Sequence, residues 1–198
     1  MTAMATTEQN PVTRIWYDTE FIEDGRTIEP ISIGMVSEDG REYYAVNRDM
    51  PVRRIKRHRW LMDHVVPQLP KGSGDMRNSM GKRWLFHYGD PVVKRRETIA
   101  REVREFILAA GGPVELWADY AAYDHVLLAQ LFGSMVELPA GIPMYTNDIQ
   151  QEASRLVGAR VWAFDGNPPT QERAAHHALA DARHVRELHR WLEKVATT

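Results

Sequence analysis

Three apolar segments follow one another within residues 14–47 with only short turn-forming stretches between them. That spacing leaves little choice of local fold. Arg14 to Asp18 and Ile28 to Val36 read as strands, the second with Ile31, Ile33 and Met35 alternating against Ser32 and Gly34. Glu38-Asp39-Gly40 supplies turn chemistry before Arg41 to Asn47, a third strand rich in Tyr and Val. The simplest arrangement is an antiparallel meander. The pattern then changes: Val52 to Val66 predicts a helix ending at Pro67, and Lys71 to Gly89 has no clear period and reads as a loop.

Beyond that loop, Ile99, Val103, Phe106, Ile107 and Ala110 recur at helical spacing until Gly111-Gly112-Pro113 stops the helix. Val114 to Ala118 predicts a strand, about Ala121 to Phe132 a helix, and Met144 to Thr146 a last short strand. Asp148 with Gln151 fits a pair capping a helix to about Val157, and a final helix runs from about Ala178 to Val195. Antiparallel strands followed by alternating helices and strands predict a mixed α/β sandwich. A chain of 198 residues, 43% hydrophobic, suits one domain, with residues 1–12 as a tail and 48–90 as an inserted basic helix and loop.

The chain has no cysteine, which excludes disulfides, thiolate metal sites and cysteine nucleophiles. Any metal must be held by oxygen or imidazole, favouring hard cations such as Mg²⁺ or Mn²⁺. No run approaches the roughly 20 apolar residues needed to span a bilayer, and Met1 to Pro11 lacks a signal-peptide pattern. The expectation is a soluble, cytoplasmic protein with no membrane partner. Net charge is −2, but Arg48 to Arg101 carries 14 Lys or Arg against 5 Asp or Glu, and the rest 11 against 22. Such a division suits carboxylates gathered around metal and a basic surface offered to a polyanion. A solvated helix face would account equally well for Arg53, Arg54, Lys56, Arg57 and Arg59.

Four acids stand out. Asp18 and Glu20 are two apart at a strand end and project from one face, where they repel unless a cation joins them. An ordinary surface strand end would also carry such a pair. Asp124 is in line with Leu127, Leu128 and Leu131, and Asp181 with His184, Val185, Leu188 and Leu192, so each acid lies on an apolar helical stripe. A buried carboxylate needs a basic partner, strong hydrogen bonds or a metal; an acid at a helix end facing solvent is the alternative for either. Together the four point to a carboxylate-held metal pair. His176, five residues before Asp181, would sit roughly 140° around a continuous helix from it. It can share the site only if the helix begins after His177. An imidazole there can take a proton from water at neutral pH, and adjacent His177 competes for the role.

At this point the chain resembles the DEDDh branch of the DnaQ-like exonucleases, whose fold is ribonuclease H-like, a mixed five-stranded sheet flanked by helices. The matching pieces are Asp18-Thr19-Glu20, Tyr123-Asp124-His125-Val126-Leu127-Leu128, and His176-His177-Ala178-Leu179-Ala180-Asp181-Ala182, in the family's order. The family's spacing of His, four residues, Asp selects His176. The Trp16-Tyr17-Asp18-Thr19-Glu20-Phe21 opening, and Leu116-Trp117-Ala118 through His125, look most like the polyadenylate-directed exoribonucleases called RNase AS. That resemblance implies a homodimer acting on single-stranded RNA from its 3′ end. It further implies two divalent cations, Mg²⁺ or Mn²⁺, held by Asp18, Glu20, Asp124 and Asp181, with His176 as general base and Glu20 in the catalytic set. Phe21 stands where many members have Thr, and Asp119 is either an added acid beside the site or a helix cap. For the terminal nucleotide the candidates are Phe21 and Trp16 by stacking and the backbone beside Thr19 and Glu20 for the 2′ hydroxyl. Arg53, Arg54 and the other cations to Arg59, with Lys94 to Arg96, are candidates for upstream phosphates. A DNA-directed exonuclease and a non-catalytic nucleic-acid-binding module are the rival readings.

Overall fold

A computed structural model of the chain describes residues 11–72, 84–163, 165–171 and 175–197; of the expected tail at residues 1–12 and the expected loop at 71–89, residues 1–10 and 73–83 lie outside the described residues. Strand β1 (Thr13–Glu23) is the longest and lies near the middle of the sheet. It pairs antiparallel with β2 (Ile28–Ser37), which pairs antiparallel with β3 (Glu42–Asn47), giving the expected meander. A two-residue β4 (Val93–Lys94) adds parallel to β3, and β5 (Val114–Ala118) runs parallel to β1 on its other side. β6 (Asn147–Asp148) completes the order β4-β3-β2-β1-β5-β6. The fold is thus the mixed α/β sheet with flanking helices that was expected, but with six strands among the described residues in place of five. Two residues carry no alternation, so β4 has no sequence signature.

Two further expectations are corrected. The last strand falls at Asn147–Asp148 and not at Met144 to Thr146: the Asn147 side-chain amide donates to the Leu116 carbonyl, while the Thr146 hydroxyl is bonded to Tyr17 and His125. The helix expected from Val52 to Val66 is divided into α1 (Val52–Ile55), α2 (Arg59–His64) and a 3-10 turn containing Pro67. His58 makes the break, its ring nitrogen accepting from the Leu61 amide and capping α2. α3 (Arg96–Leu108), α4 (Ala122–Phe132), α5 (Ile149–Val157) and α6 (Ala178–Ala196) follow the expected periods, and Asp148 caps α5 through the Gln150 and Gln151 amides.

Alternation along β1 sorts the layers. Ile15 and Tyr17 pack with Ile99, Val103, Ile107 and Leu128 of α3 and α4. Trp16 points the other way and packs with Ile149, Val185, Leu188 and Leu192 of α5 and α6. A third cluster joins Ile31 and Val46 at the meander end to Ile55, Leu61, Val65, Trp84 and Phe86. Continuing that alternation, Asp18 and Glu20 emerge on the α6 face and Thr19 on the α4 face.

Candidate active site

The site forms where three layers meet. Asp18 pairs with Gly34 and Glu20 with Ser32 in the β1–β2 register, and the ladder is then interrupted by a bulge between Glu20 and Phe21. A Cβ built on Gly34 would lie 2.2 Å from the Leu179 nitrogen, so the first turn of α6 rests directly on the sheet at this point. That contact delivers Asp181. One carboxylate oxygen from each of Asp18, Glu20 and Asp181 lies within 4.8 Å of the others, a spacing that fits a bound cation.

The electrostatics fit the same purpose. Burial first, then Asp124, Glu20, Asp181 and Asp119, hold the Asp18 carboxyl well above the usual carboxylate range. Burial followed by the Asp181 charge pushes Glu20 up to about 8. Burial raises Asp181 as well, opposed mainly by a hydrogen bond from Gln171 Nε2 (2.5 Å) and by His176. The groups acting most strongly on these acids include no Lys or Arg. Close carboxylates without a cationic side chain are the arrangement a divalent cation relieves.

Asp124 reaches the region from the opposite layer. It sits in the first turn of α4, 5% exposed, and one oxygen accepts both the Thr19 amide (2.9 Å) and the Thr19 hydroxyl (2.6 Å). Burial raises its carboxyl, and those hydrogen bonds from Thr19 oppose the rise. Asp124 therefore stands behind Asp18 and outside the three-acid cluster. Thr19, expected near the substrate, spends its hydroxyl on Asp124.

The cavity in front of these acids has a volume of about 360 Å³ and is bordered by Asp18, Glu20, Phe21, Trp60, Asp119 and His176 among others. α6 begins after His177, the condition that His176 needed. His176 sits just outside the helix with φ of 66°, and its ring meets Trp60 edge-on at 4.8 Å and His64 at 5.6 Å. His177 turns away and stacks on Tyr44 at 4.3 Å. The Asp119 carboxylate accepts from Gln150 Nε2 (2.7 Å), and burial raises it, so it is an acid beside the site and not the helix cap.

Geometry separates the substrate candidates. Trp16 is 1% exposed, donates its indole N–H to His189 Nδ1 (3.0 Å) and has no face open for stacking. Arg54 is turned to the β1–β2 hairpin, where it ion-pairs with Glu29 and with Asp24 (3.0 Å). Neither Arg53 nor Arg54 borders the cavity, and Arg53 is exposed on α1, open to the upstream-strand role expected of it. Lys94 pairs with Glu102 and Arg96 reaches the Gln130 carbonyl. Phe21 does border the cavity, its ring stacked on Tyr123 at 5.6 Å and 12°. Sequence reasoning missed Trp60, His64 and Gln171. A six-residue α2 is too short to show a face, and an uncharged glutamine far from any motif has no signal.

Fold and site together describe an enzyme of the nuclease class, with a cavity lined by carboxylates. Residues 76–192, over half of the chain, match the family model described as the 3′-5′ exoribonuclease Rv2179c-like domain. Two curated relatives from Mycobacterium tuberculosis, 3′-5′ exoribonuclease Rv2179c (strain ATCC 25618 / H37Rv) and 3′-5′ exoribonuclease MT2234.1 (strain CDC 1551 / Oshkosh), are each 40% identical over 173 residues, covering 86% of this chain and 87% of the relative. Among solved structures, the Mg²⁺- and Mn²⁺-bound form of Pop2p from S. pombe aligns over 91% of this chain and 81% of that one, with 13% identity and a TM-score of 0.46. This chain belongs to the Rv2179c-like 3′-5′ exoribonuclease family.

Proposed function

We propose that this chain is a DEDDh-type exoribonuclease that removes nucleotides from the 3′ end of single-stranded RNA, polyadenylate included, using two divalent cations and a histidine base. The observation that carries this reading is the trio Asp18, Glu20 and Asp181 within 4.8 Å, facing a cavity that His176 also borders. These three acids, with Asp124 behind Asp18, would hold Mg²⁺ or Mn²⁺. When bound, such ions lower the pKa of the attacking water and neutralise charge building on the scissile phosphate. The protein's own groups do the rest. His176 accepts the proton of the water as its oxygen bonds to phosphorus and the bond to the leaving 3′ oxygen breaks. Gln171 orients Asp181, and Thr19 orients Asp124. Exposed Arg53, Arg57 and Arg59 on and around α1 and α2 supply positive charge next to Trp60 for the upstream strand.

Exposed Val126 on α4, and Met144 and Tyr145 in the segment held to α4 by the His125–Thr146 hydrogen bond, offer an apolar face for the homodimer. Light scattering of the purified protein reads that directly. The catalytic reading is tested with matched oligoadenylate RNA and DNA, each incubated with Mg²⁺, Mn²⁺ or EDTA. Metal-dependent shortening of RNA from the 3′ end is expected. Faster cutting of DNA would turn the assignment to a DNA exonuclease, and no cutting with any metal would leave a binding module.

A further inference from the structure

His184 follows Asp181 by three residues on the same face of α6. It borders the cavity, yet lies outside both the acid trio and the ring cluster around His176. Its place is set by a row of residues across the sheet. Asp18 pairs with Gly34 on one side, and Gly34 pairs with Tyr44 beyond it. On the other side the β1–β5 register sets Trp16 opposite Trp117, so two residues further on Asp119 comes level with Asp18. The row therefore reads Tyr44, Gly34, Asp18, Asp119, and α6 crosses it obliquely. His177 stacks on Tyr44, the Leu179 backbone rests on Gly34, and His189 lies against Trp117 of β5. His176 thus stands on the β2–β3 side of Asp18, against Trp60, while α6 carries His184 toward the β5 side. The electrostatics divide in the same way. The His176 charge acts on Asp181, and the His184 charge acts on Asp119, where it opposes the rise that burial causes.

We propose that His184 is the general acid of the reaction, giving its imidazolium proton to the departing 3′ oxygen. In an in-line displacement the entering and leaving oxygens lie on opposite sides of phosphorus. A phosphate set over Asp18 with its water toward His176 therefore turns its leaving oxygen toward Asp119 and His184. The water oxygen bonds to phosphorus as its proton passes to His176. The bond from phosphorus to the 3′ oxygen breaks, and the His184 proton closes that oxygen as a hydroxyl. Both rings then return to their starting states by proton exchange with water. Gln150 holds Asp119 by the 2.7 Å hydrogen bond to its Oδ1, so the charge that attracts the imidazolium is fixed in place. The inference rests on the exoribonuclease reading above and adds a second histidine to it.

The test uses two RNAs that differ only at the last linkage, where the leaving 3′ atom is oxygen in one and sulfur in the other. An alkoxide needs a proton as it departs, whereas a thiolate, whose conjugate thiol has a pKa of about 8.5, leaves without one. Single-turnover rates of the first cut are compared in saturating Mn²⁺ for wild type, His184→Ala and His184→Gln. The glutamine can hydrogen-bond but cannot give up a proton. Both variants should lose about 10²- to 10⁴-fold on the oxygen linkage and stay within about threefold of wild type on the sulfur linkage. Their Mn²⁺ affinity, read by calorimetry, should also stay within about threefold, because the four acids are untouched. An equal loss on both linkages, a wild-type rate for His184→Gln on oxygen, or a matching loss of Mn²⁺ affinity overturns the general acid. The exoribonuclease reading fails separately, by wild-type protein cutting neither RNA.

Discussion

Gly34 sits across the β1–β2 ladder from Asp18, and the space its side chain would fill is taken by the backbone of Leu179 in the first turn of α6. The two elements touch backbone to backbone, which sets the height of Asp181 above the sheet. An added methyl must push α6 outward, because the nearest atoms are main-chain and cannot rotate away. Gly34→Ala is therefore expected to lower stability by about 1–3 kcal/mol through overpacking, a fall in Tm of roughly 3–10 °C for a domain of this size. Separation of Asp181 from Asp18 and Glu20 should weaken Mn²⁺ binding at least tenfold. Thermal melts and Mn²⁺ titration by calorimetry check both, and wild-type Mn²⁺ affinity in the variant would remove Gly34 from the account of the site.

The acid cluster makes metal-free protein sensitive to alkali. Glu20 titrates near 8 in the folded chain against an ordinary 4.5, so between those values the folded state holds a proton that the unfolded chain has released. Stability therefore falls as pH rises through that window, and Asp18 and Asp181, both raised, act in the same direction. In EDTA, Tm should be lower at pH 8 than at pH 5.5 by this contribution. One fixed concentration of Mg²⁺ or Mn²⁺, about 100 times its Kd at pH 8, would add about 2.7 kcal/mol there, roughly 5–10 °C, and less at pH 5.5, where protonated acids weaken binding. Glu20→Gln should flatten the EDTA profile. A metal-induced shift of the same size at both pH values would count against the cluster as the binding site.

The parts of this site that were legible in the sequence are those where chemistry conflicted with pattern. Asp124 and Asp181 stood on apolar helical stripes, and the structure confirms that Asp124 is buried on α4 and that Asp181 opens α6. Asp18 and Glu20 were two apart on a strand, and alternation does place them on one face. What the sequence hid were relations across elements. That Thr19 would serve Asp124 depends on α4 lying over the opposite face from α6, and Trp16 is indistinguishable in sequence from a surface aromatic, its burial resting on His189 and on the cluster it shares with Trp117. The break at His58 was unreadable because a histidine cap resembles any other helical residue.

His189 gives the fold an acid limit of its own. Its ring is 2% exposed, its Nδ1 accepts the Trp16 indole N–H at 3.0 Å, and Trp117 lies over it at 4.0 Å. Burial, and next the Arg14 charge, hold its pKa below the ordinary 6.5. Below 6.5 the unfolded chain takes up a proton that folded His189 resists, so stability falls as pH drops from 6.5 toward the lowered value. His125 and His177, lowered by burial, add in the same direction. His189→Gln keeps an acceptor for Trp16 but cannot titrate. Its Tm at neutral pH should be lower, while its decline between pH 7 and pH 5 should be shallower than that of wild type. Parallel slopes in the two melting series would show that His189 is not the titrating group.

His176 must be separated from His177 by a variant that leaves the backbone alone. At φ of 66° the residue occupies the left-handed region, where Asn is tolerated better than Ala. His176→Asn therefore removes the imidazole with less strain than His176→Ala and keeps the main-chain amide that supports Asp181. Loss of a general base typically lowers turnover by about 10²- to 10⁴-fold, and that is the expectation for both variants, with Mn²⁺ affinity within about threefold of wild type because the acids are untouched. His177→Ala should behave differently. It removes a ring stacked on Tyr44 and not one bordering the cavity, so its effect should appear in Tm, with turnover per folded molecule reduced far less. If His176→Asn retained turnover while His177→Ala lost it, the proton acceptor would be the ring on Tyr44, and α6 would have to start earlier in the substrate complex than it does here.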